Sequence, residues 1–344
     1  MHISEFDYEL PDDLIAQQPL AERDASRMLV LDRAKESWSD SSFREFPQHL
    51  RANDVVVVNN SRVIPARLSG QRQETGGAVE IFLVRELEPQ TWEALVRPGG
   101  RLKEGARVVF GDQKLIAELL DHPGHELRRV RFQSDGPFDE VLSELGSTPL
   151  PPYIKRPAGE SAKDRERYQT VYSKNPGAIA APTAGLHFTD AVLQEVKTRA
   201  SVAEVTLHVG YGTFEPVRVD DVDQHSVSSE HFAISEESAE TINRARAHGG
   251  RVIVVGTTTM RALESSATDD GRIIAARGEA NLTIKPGYRF RVADALLTNF
   301  HLPRSSLLVL VSAFAGRELV LRAYRHAVQQ RYRFYSYGDC MFLV

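Results

Sequence analysis

The residues best suited to chemistry stand in four short runs, all in the second half of the chain. They are Pro182-Thr183-Ala184-Gly185-Leu186-His187, His208-Val209-Gly210-Tyr211-Gly212-Thr213-Phe214-Glu215, Gly256-Thr257-Thr258-Thr259-Met260-Arg261 and Thr298-Asn299-Phe300-His301. Small residues let a ligand approach the main chain, and histidine is the side chain that titrates nearest neutral pH. The Gly256–Arg261 run also opens a predicted helix, whose free N–H groups suit a carboxylate or a phosphate. Taken singly, each histidine reads as structural, Thr257 to Thr259 as a helix cap and Met260 as core. Taken together the runs point to one site, because ligands of open α/β sheets bind outside the carboxyl ends of strands.

Other chemistries are missing from the sequence. It contains no G-x-x-x-x-G-K-[ST] loop and no H-E-x-x-H, which argues against a P-loop nucleotidase and a zincin. Gly210-Tyr211-Gly212 starts like a dinucleotide fingerprint, but Glu215 stands where the third glycine belongs and Pro216 follows. The only cysteine, Cys340, can form neither an intrachain disulfide nor a Cys-rich zinc site. His225 and His231 have nothing to complete a metal site, so no metal is expected.

The elements that must carry these runs read as α/β. Val55 to Val58 is a continuous β-branched run, as is Val252 to Val255, and both suit strands covered on two faces. Met28 to Leu31, Val202 to Val209 and Leu307 to Ser312 read as further strands. Helices are expected from Pro11-Asp12-Asp13, from Ser235 to a stop at His248-Gly249-Gly250, from Met260 to Ser266 and from Arg317 to Arg331. Between Val63 and Ser134 short alternating runs are separated by turn signals such as Gly76-Gly77 and Gly111-Asp112, the pattern of a small antiparallel barrel. A helix from Phe138 to Leu145 and an extended, proline-rich Thr148–Pro157 connector follow. The expected architecture is an α/β domain of residues 1–62 and 153–344 with a β-barrel of residues 63–152 inserted into it.

With 42% apolar and 26% charged residues and a net charge of −5, the chain is an ordinary folded protein and not a basic polyelectrolyte. Its start is acidic where a signal peptide is basic, and its longest apolar run is far below the ~20 residues of a membrane span. A cytoplasmic, monomeric protein with no membrane contact is expected. Basic residues nevertheless cluster at Arg97, Arg101, Lys103 and Arg107, at Arg128 to Arg131, and at Lys155-Arg156. Such local faces can dock a structured RNA despite a negative total.

Around these clusters the sequence resembles the S-adenosylmethionine:tRNA ribosyltransferase-isomerase family of queuosine biosynthesis. The resemblance runs through DYELPDDLIAQQPL, VNNSRVIPARL, ALVRPGGRLKEG, PLPPYIKRP, ERYQTVYSKNPGAIAAPTAGLHFT, VTLHVGYGTFEPV, VGTTTMRALES, TNFHLPRSSLLVLVSAFAG and YSYGDCMFLV. Asn60-Ser61 stands where the family usually has Asp-Thr, so no acid is available there. Met260 replaces the usual valine and Cys340 the usual alanine, and the segment Leu282–Lys285 lacks an aromatic.

The resemblance implies transfer of the ribosyl part of S-adenosylmethionine to the aminomethyl-deazaguanine wobble base of a tRNA with a GUN-type anticodon. Isomerisation then gives epoxyqueuosine, with release of adenine and methionine. S-adenosylmethionine would be consumed as a substrate, and no cofactor is called for. A base must remove the proton that the sulfonium acidifies, and an acid must help adenine leave. His208 and His301 are the leading candidates, His187 the third, and Glu215 an alternative base. Gly210, Gly212 and Thr213 would lie under the adenosine, Thr257, Thr258, Thr259 and Arg261 would hold the methionine carboxylate, and Thr183, Gly185 and Asn299 would complete the substrate site. Arg97, Arg101, Lys103, Lys155, Arg156 and Tyr168 would meet the RNA, whose target base must leave its stack. Rival readings are a small-molecule methyltransferase, which would show a glycine-rich loop after Val58, and a non-catalytic RNA-binding module, which leaves the four loops unexplained.

Overall fold

Val55, Val56 and Val57 are fully buried, and the run sits where its β-branched side chains pack on both faces of a central strand. The computed structural model describes residues 1–98, 102–121, 126–156, 162–214, 217 and 219–344. Three strands come first: β1 (Arg27–Asp32), β2 (Ser37–Ser42) and β3 (Val55–Asn59). A short β4 (Ser61–Val63) leads to β5 (Arg67–Arg72), β6 (Ala78–Glu88), β7 (Thr91–Arg97), β8 (Arg107–Phe110), β9 (Leu115–Leu119) and β10 (Arg128–Ser134). Helices α1 (Phe138–Leu145) and α2 (Ala162–Arg167), strand β11 (Asn175–Ala178), helix α3 (Asp190–Arg199), and strands β12 (Ser201–Leu207) and β13 (Glu230–Ile234) follow. The chain ends with α4 (Glu236–Ala247), β14 (Val252–Val255), α5 (Thr257–Ser266), β15 (Ala276–Ala280), β16 (Ala295–Asn299), α6 (Ser306–Ala315), α7 (Arg317–Gln329) and β17 (Cys340–Leu343).

Nine strands form one sheet in the order β15-β13-β12-β3-β14-β16-β17-β1-β2. Its centre, β12-β3-β14-β16, is parallel, and β17 turns the direction by pairing antiparallel with β16. Alternation along β3 splits the core. Val55 and Val57 pack with Met260, Leu308 and Tyr324 on one face, while Val56 and Val58 pack with Phe43, Phe188 and Val196 on the other. The six strands β10-β7-β6-β5-β8-β9 close a separate antiparallel barrel around Leu68, Ile81, Ala94 and Val130. The barrel touches the sheet domain through Ile179, buried in its core, and through Tyr211, whose ring lies 6.1 Å from that of Phe82.

Two local expectations are corrected. Leu307 to Ser312 is not a strand but part of α6, capped by Ser305 accepting from the Leu308 amide. An apolar run this short has no readable period when it is buried on all sides, and Leu308, Val309, Leu310 and Val311 all are. Pro11-Asp12-Asp13 starts no helix, only a single 3₁₀ turn at Asp12–Leu14. Among the described residues no helix is long and apolar enough to cross a membrane.

Candidate active site

The parallel strands β12, β3, β14 and β16 end side by side, and the four polar runs gather there. β14 passes into α5 through Gly256, whose φ of 89° and ψ of 152° lie in a region essentially reserved for glycine. The Gly256 amide donates to the Leu297 carbonyl at 2.8 Å, which ties the turn to β16. The first turn of α5, with Gly256, Thr257 and Thr258, thus borders a cavity of about 60 Å3. Thr183 and Ala184 from the first run, Val209 from the second, Thr257 and Thr258 from the third, and Thr298, Asn299 and His301 from the fourth all line it. Tyr153, Tyr168, Tyr335 and Ser336 form the opposite wall.

His301 is 5% exposed, and its Nε2 shares a 3.0 Å hydrogen bond with Thr298 Oγ1. Burial lowers its pKa to about 3, so the ring is neutral at pH 7. Its main chain is pinned: the Tyr8 hydroxyl donates to the carbonyl at 2.5 Å and the amide donates to Tyr324 Oη at 3.1 Å. Asn299 donates to the Tyr335 carbonyl at 2.8 Å, and its Oδ1 lies 3.3 Å from His187 Nε2. His187 Nδ1 meets Ser26 Oγ at 2.9 Å. That ring is also neutral, with a pKa lowered to about 4, first by burial. Tyr153 bonds Ser336 Oγ and lies edge-on to Tyr335 at 4.1 Å.

Of the other candidates Arg261 also lines this cavity; the rest fall elsewhere. His208 does not share the cavity with His301. It lies against Gly177 and lines a separate open groove of about 810 Å3 with Asn60, Lys174, Glu204 and Arg277. The reason is strand alternation: Leu207 points into the core, so its neighbour must point away. Burial, then the neighbouring His231, lowers the His208 pKa. Arg261 is committed to structure. Its guanidinium pairs with the buried Glu230 and donates to the carbonyls of Ala280 at 2.6 Å, Ser228 at 3.2 Å and Leu282 at 3.2 Å. Thr259 donates to the Val255 carbonyl at 2.6 Å inside α5. Gly185 is packed under Tyr172, the Gly210 amide donates to Glu230 at 2.8 Å, and Gly212 lines a second cavity of about 40 Å3 beyond Arg261 and Leu307. Arg261 and Leu307 line both cavities and form the wall between them.

Of the basic candidates, Arg97, Lys103 and Lys155 are exposed. Arg156 is held by the buried Asp164 in two hydrogen bonds of 2.9 and 2.8 Å, and Tyr168 is a buried cavity wall packed on Tyr337. Glu215 and Arg101 lie outside the described residues, as does the side chain of Thr213. Among the described residues no group of three His, Cys, Asp or Glu is placed to hold a metal ion.

A family model described as queuosine biosynthesis protein matches residues 3–343. The chain belongs to this family. It is 50% identical, over all of its length and 99% of the relative's, to an S-adenosylmethionine:tRNA ribosyltransferase-isomerase of Natranaerobius thermophilus. It also resembles the crystal structure of an S-adenosylmethionine tRNA ribosyltransferase from Thermotoga maritima, with 36% identity, a TM-score of 0.56, and coverage of 99% of this chain and 100% of that one.

Sequence reasoning missed Tyr335 and Ser336. Their segment is part of the family resemblance but carried no role. A signal was present in Tyr335-Ser336-Tyr337-Gly338, an alternation of aromatic and small residues next to a strand. Only the fold shows why it matters: Tyr335 adopts a φ of 72° and its amide donates to the Phe300 carbonyl at 3.1 Å, which turns its ring to the cavity.

Proposed function

We propose that this protein is an S-adenosylmethionine:tRNA ribosyltransferase-isomerase. It transfers the ribosyl part of S-adenosylmethionine to the aminomethyl-deazaguanine wobble base of a tRNA with a GUN-type anticodon, forming epoxyqueuosine and releasing adenine and methionine. S-adenosylmethionine is consumed, and no net oxidation requires a redox cofactor. The observation that carries the reading is the cavity lined by all four polar runs, in a chain half identical from end to end to a ribosyltransferase-isomerase. The protein acts in the cytoplasm, as a monomer.

The residues support distinct parts of the reaction. The amides of Thr257 and Thr258 at the start of α5 donate to the methionine carboxylate, where the helix dipole favours negative charge. Tyrosine faces stack on the bases and stabilise the sulfonium by cation–π attraction, which strengthens where water is excluded. A neutral His301 admits that cation, whereas a protonated ring would repel it. His301, on the cavity wall, takes the acidified C5′ proton and passes it to the leaving adenine. His187 acts through Asn299 as a positioning residue.

The deciding experiment incubates the purified protein with S-adenosylmethionine and tRNA carrying the aminomethyl-deazaguanine, read by nucleoside mass spectrometry. Epoxyqueuosine with equimolar adenine and methionine is expected. A methylated nucleoside with S-adenosylhomocysteine, or binding without product, overturns the proposal.

A further inference from the structure

Beside the reaction cavity lies a second, smaller hollow of about 20 Å3, lined by Arg23, Arg167, Ser26, His187, Ser336 and Tyr337. Ser336 belongs to both walls. Arg23 comes from a 3₁₀ turn and Arg167 ends α2. Arg333 does not line the hollow but donates to the Gln18 carbonyl, next to the lining Pro19, and its charge, like that of Arg23, acts on His187. All three arginines are half-buried, and among the described residues their side-chain hydrogen bonds go only to main-chain carbonyls. Arg23 donates to Glu166 at 3.0 Å and to Arg167 and Leu186 at 3.4 Å, Arg167 to Leu20 at 2.8 Å and Ala21 at 3.0 Å, and Arg333 to Gln18.

The charges of Glu166 and Asp190 act on Arg23 and that of Asp339 on Arg333, yet among the described residues no carboxylate forms an ion pair with any of the three. Glu22 and Asp24, which flank Arg23, pair with Arg44. Asp339 accepts the amides of Arg27 and Arg333 at 2.9 and 2.8 Å, and Asp164 binds Arg156. Three donors are left buried without a partner: Arg167 Nε, Arg333 Nη1 and the Tyr337 hydroxyl. Arg261 and Arg251, by contrast, have the carboxylates of Glu230 and Asp54, while Arg33 is held by main-chain carbonyls. Unpaired cations and orphaned donors at such depth are costly unless an anion completes them, and planar guanidinium forks match phosphate oxygens.

We infer that Arg23, Arg167, Arg333 and Tyr337 form a phosphate site, and that its ligand is an RNA backbone phosphodiester next to the nucleotide whose base enters the reaction cavity. The inference rests on the proposed reaction. The hollow has room for the oxygens of one anion and none for a base, and it adjoins the cavity where a base is needed. A free phosphate ion has the same chemistry, so the test separates the two sources.

Binding of precursor tRNA is measured between 0.05 and 0.3 M KCl for wild type and for the Arg23→Gln/Arg333→Gln double variant, with the melting temperature of each. One lost phosphate contact on a single-stranded segment lowers the slope of log K against log[salt] by about 0.7, which is about four-fold in affinity at ~0.15 M salt. That loss in a folded variant, together with competition by potassium phosphate beyond chloride at matched ionic strength, is expected. An unchanged slope in the folded variant overturns the inference. Should the variant not fold, phosphate acting no differently from chloride on wild-type tRNA binding overturns it instead. If the wild type binds no tRNA, the reaction proposed above fails on its own account. A phosphate-dependent rise in melting temperature, lost in the double variant, would then assign the site to the free ion and overturn the RNA assignment.

Discussion

Two buried neutral histidines make stability depend on acid in a way that can be worked out. The folded-state pKa values of His187 and His301 are about 4 and about 3, against an ordinary 6.5. The folded values are depressed, so the unfolded chain binds more protons than the folded one between about pH 6.5 and those values. Stability is therefore complete above pH 6.5 and is lost as pH falls toward the folded pKa values. Integrating from pH 7 to pH 5 gives about 2 kcal/mol for each ring and about 4 kcal/mol for both. The perturbation is His187→Gln, which touches Asn299 but not the cavity. Urea unfolding at pH 7 and at pH 5 is followed by tryptophan fluorescence, where Trp38 reports the sheet and Trp92 the barrel. Lost packing lowers the variant's stability at both pH values, so only the difference between them is read. The variant is expected to lose about 2 kcal/mol less than wild type on acidification. Parallel pH dependence in the two proteins refutes the reasoning, because it means that His187 takes up its proton without unfolding. The same neutrality leaves the His301 ring on the cavity wall uncharged.

His301→Gln is expected to lower kcat by about 10²- to 10⁴-fold, the usual worth of a positioned acid or base; His208→Gln, on the other groove, retains turnover near wild type in the same nucleoside assay. Glu230→Gln leaves the Arg261 guanidinium buried without its carboxylate and costs about 3–5 kcal/mol by chemical denaturation. Gly256→Ala makes only ordinary contacts, with Ala184 Cβ at 3.6 Å and Thr258 Oγ1 at 3.8 Å, so its cost of about 1–3 kcal/mol comes from backbone strain and is accompanied by weaker S-adenosylmethionine binding, read by calorimetry. Burial raises the Cys340 thiol well above its ordinary pKa, so it reacts with a disulfide reagent only after unfolding, as absorbance measurements will show.

Much of the architecture was legible because its signals are local. The valine run of β3, the Ser235 cap of α4 and the turn residues between barrel strands each declare their element within a few residues. The four polar runs stood out for the same reason, being dense in glycine, threonine and histidine at strand ends, although Thr259 and Gly185 are packed in the interior. Where the signal is not local, sequence reasoning failed. Leu307–Ser312 has no period because it is buried on every side, and its helix is set by the Ser305 cap and by its neighbours.

Which runs face each other was decided only by tertiary structure. His208 and His301 look equivalent as residues, but the alternation of β12 sends one to the outer groove, while the bonds from Tyr8 and Tyr324 hold the other in the cavity. Arg261 has the right charge for a carboxylate, yet Glu230 reaches it from β13, a strand 31 residues earlier. Tyr335 and the unpaired arginines gain meaning only from partners brought in from distant parts of the chain. Residue type and spacing state what chemistry a side chain can do; burial and pairing, which depend on contacts far apart in sequence, determine which side chains are free to do it.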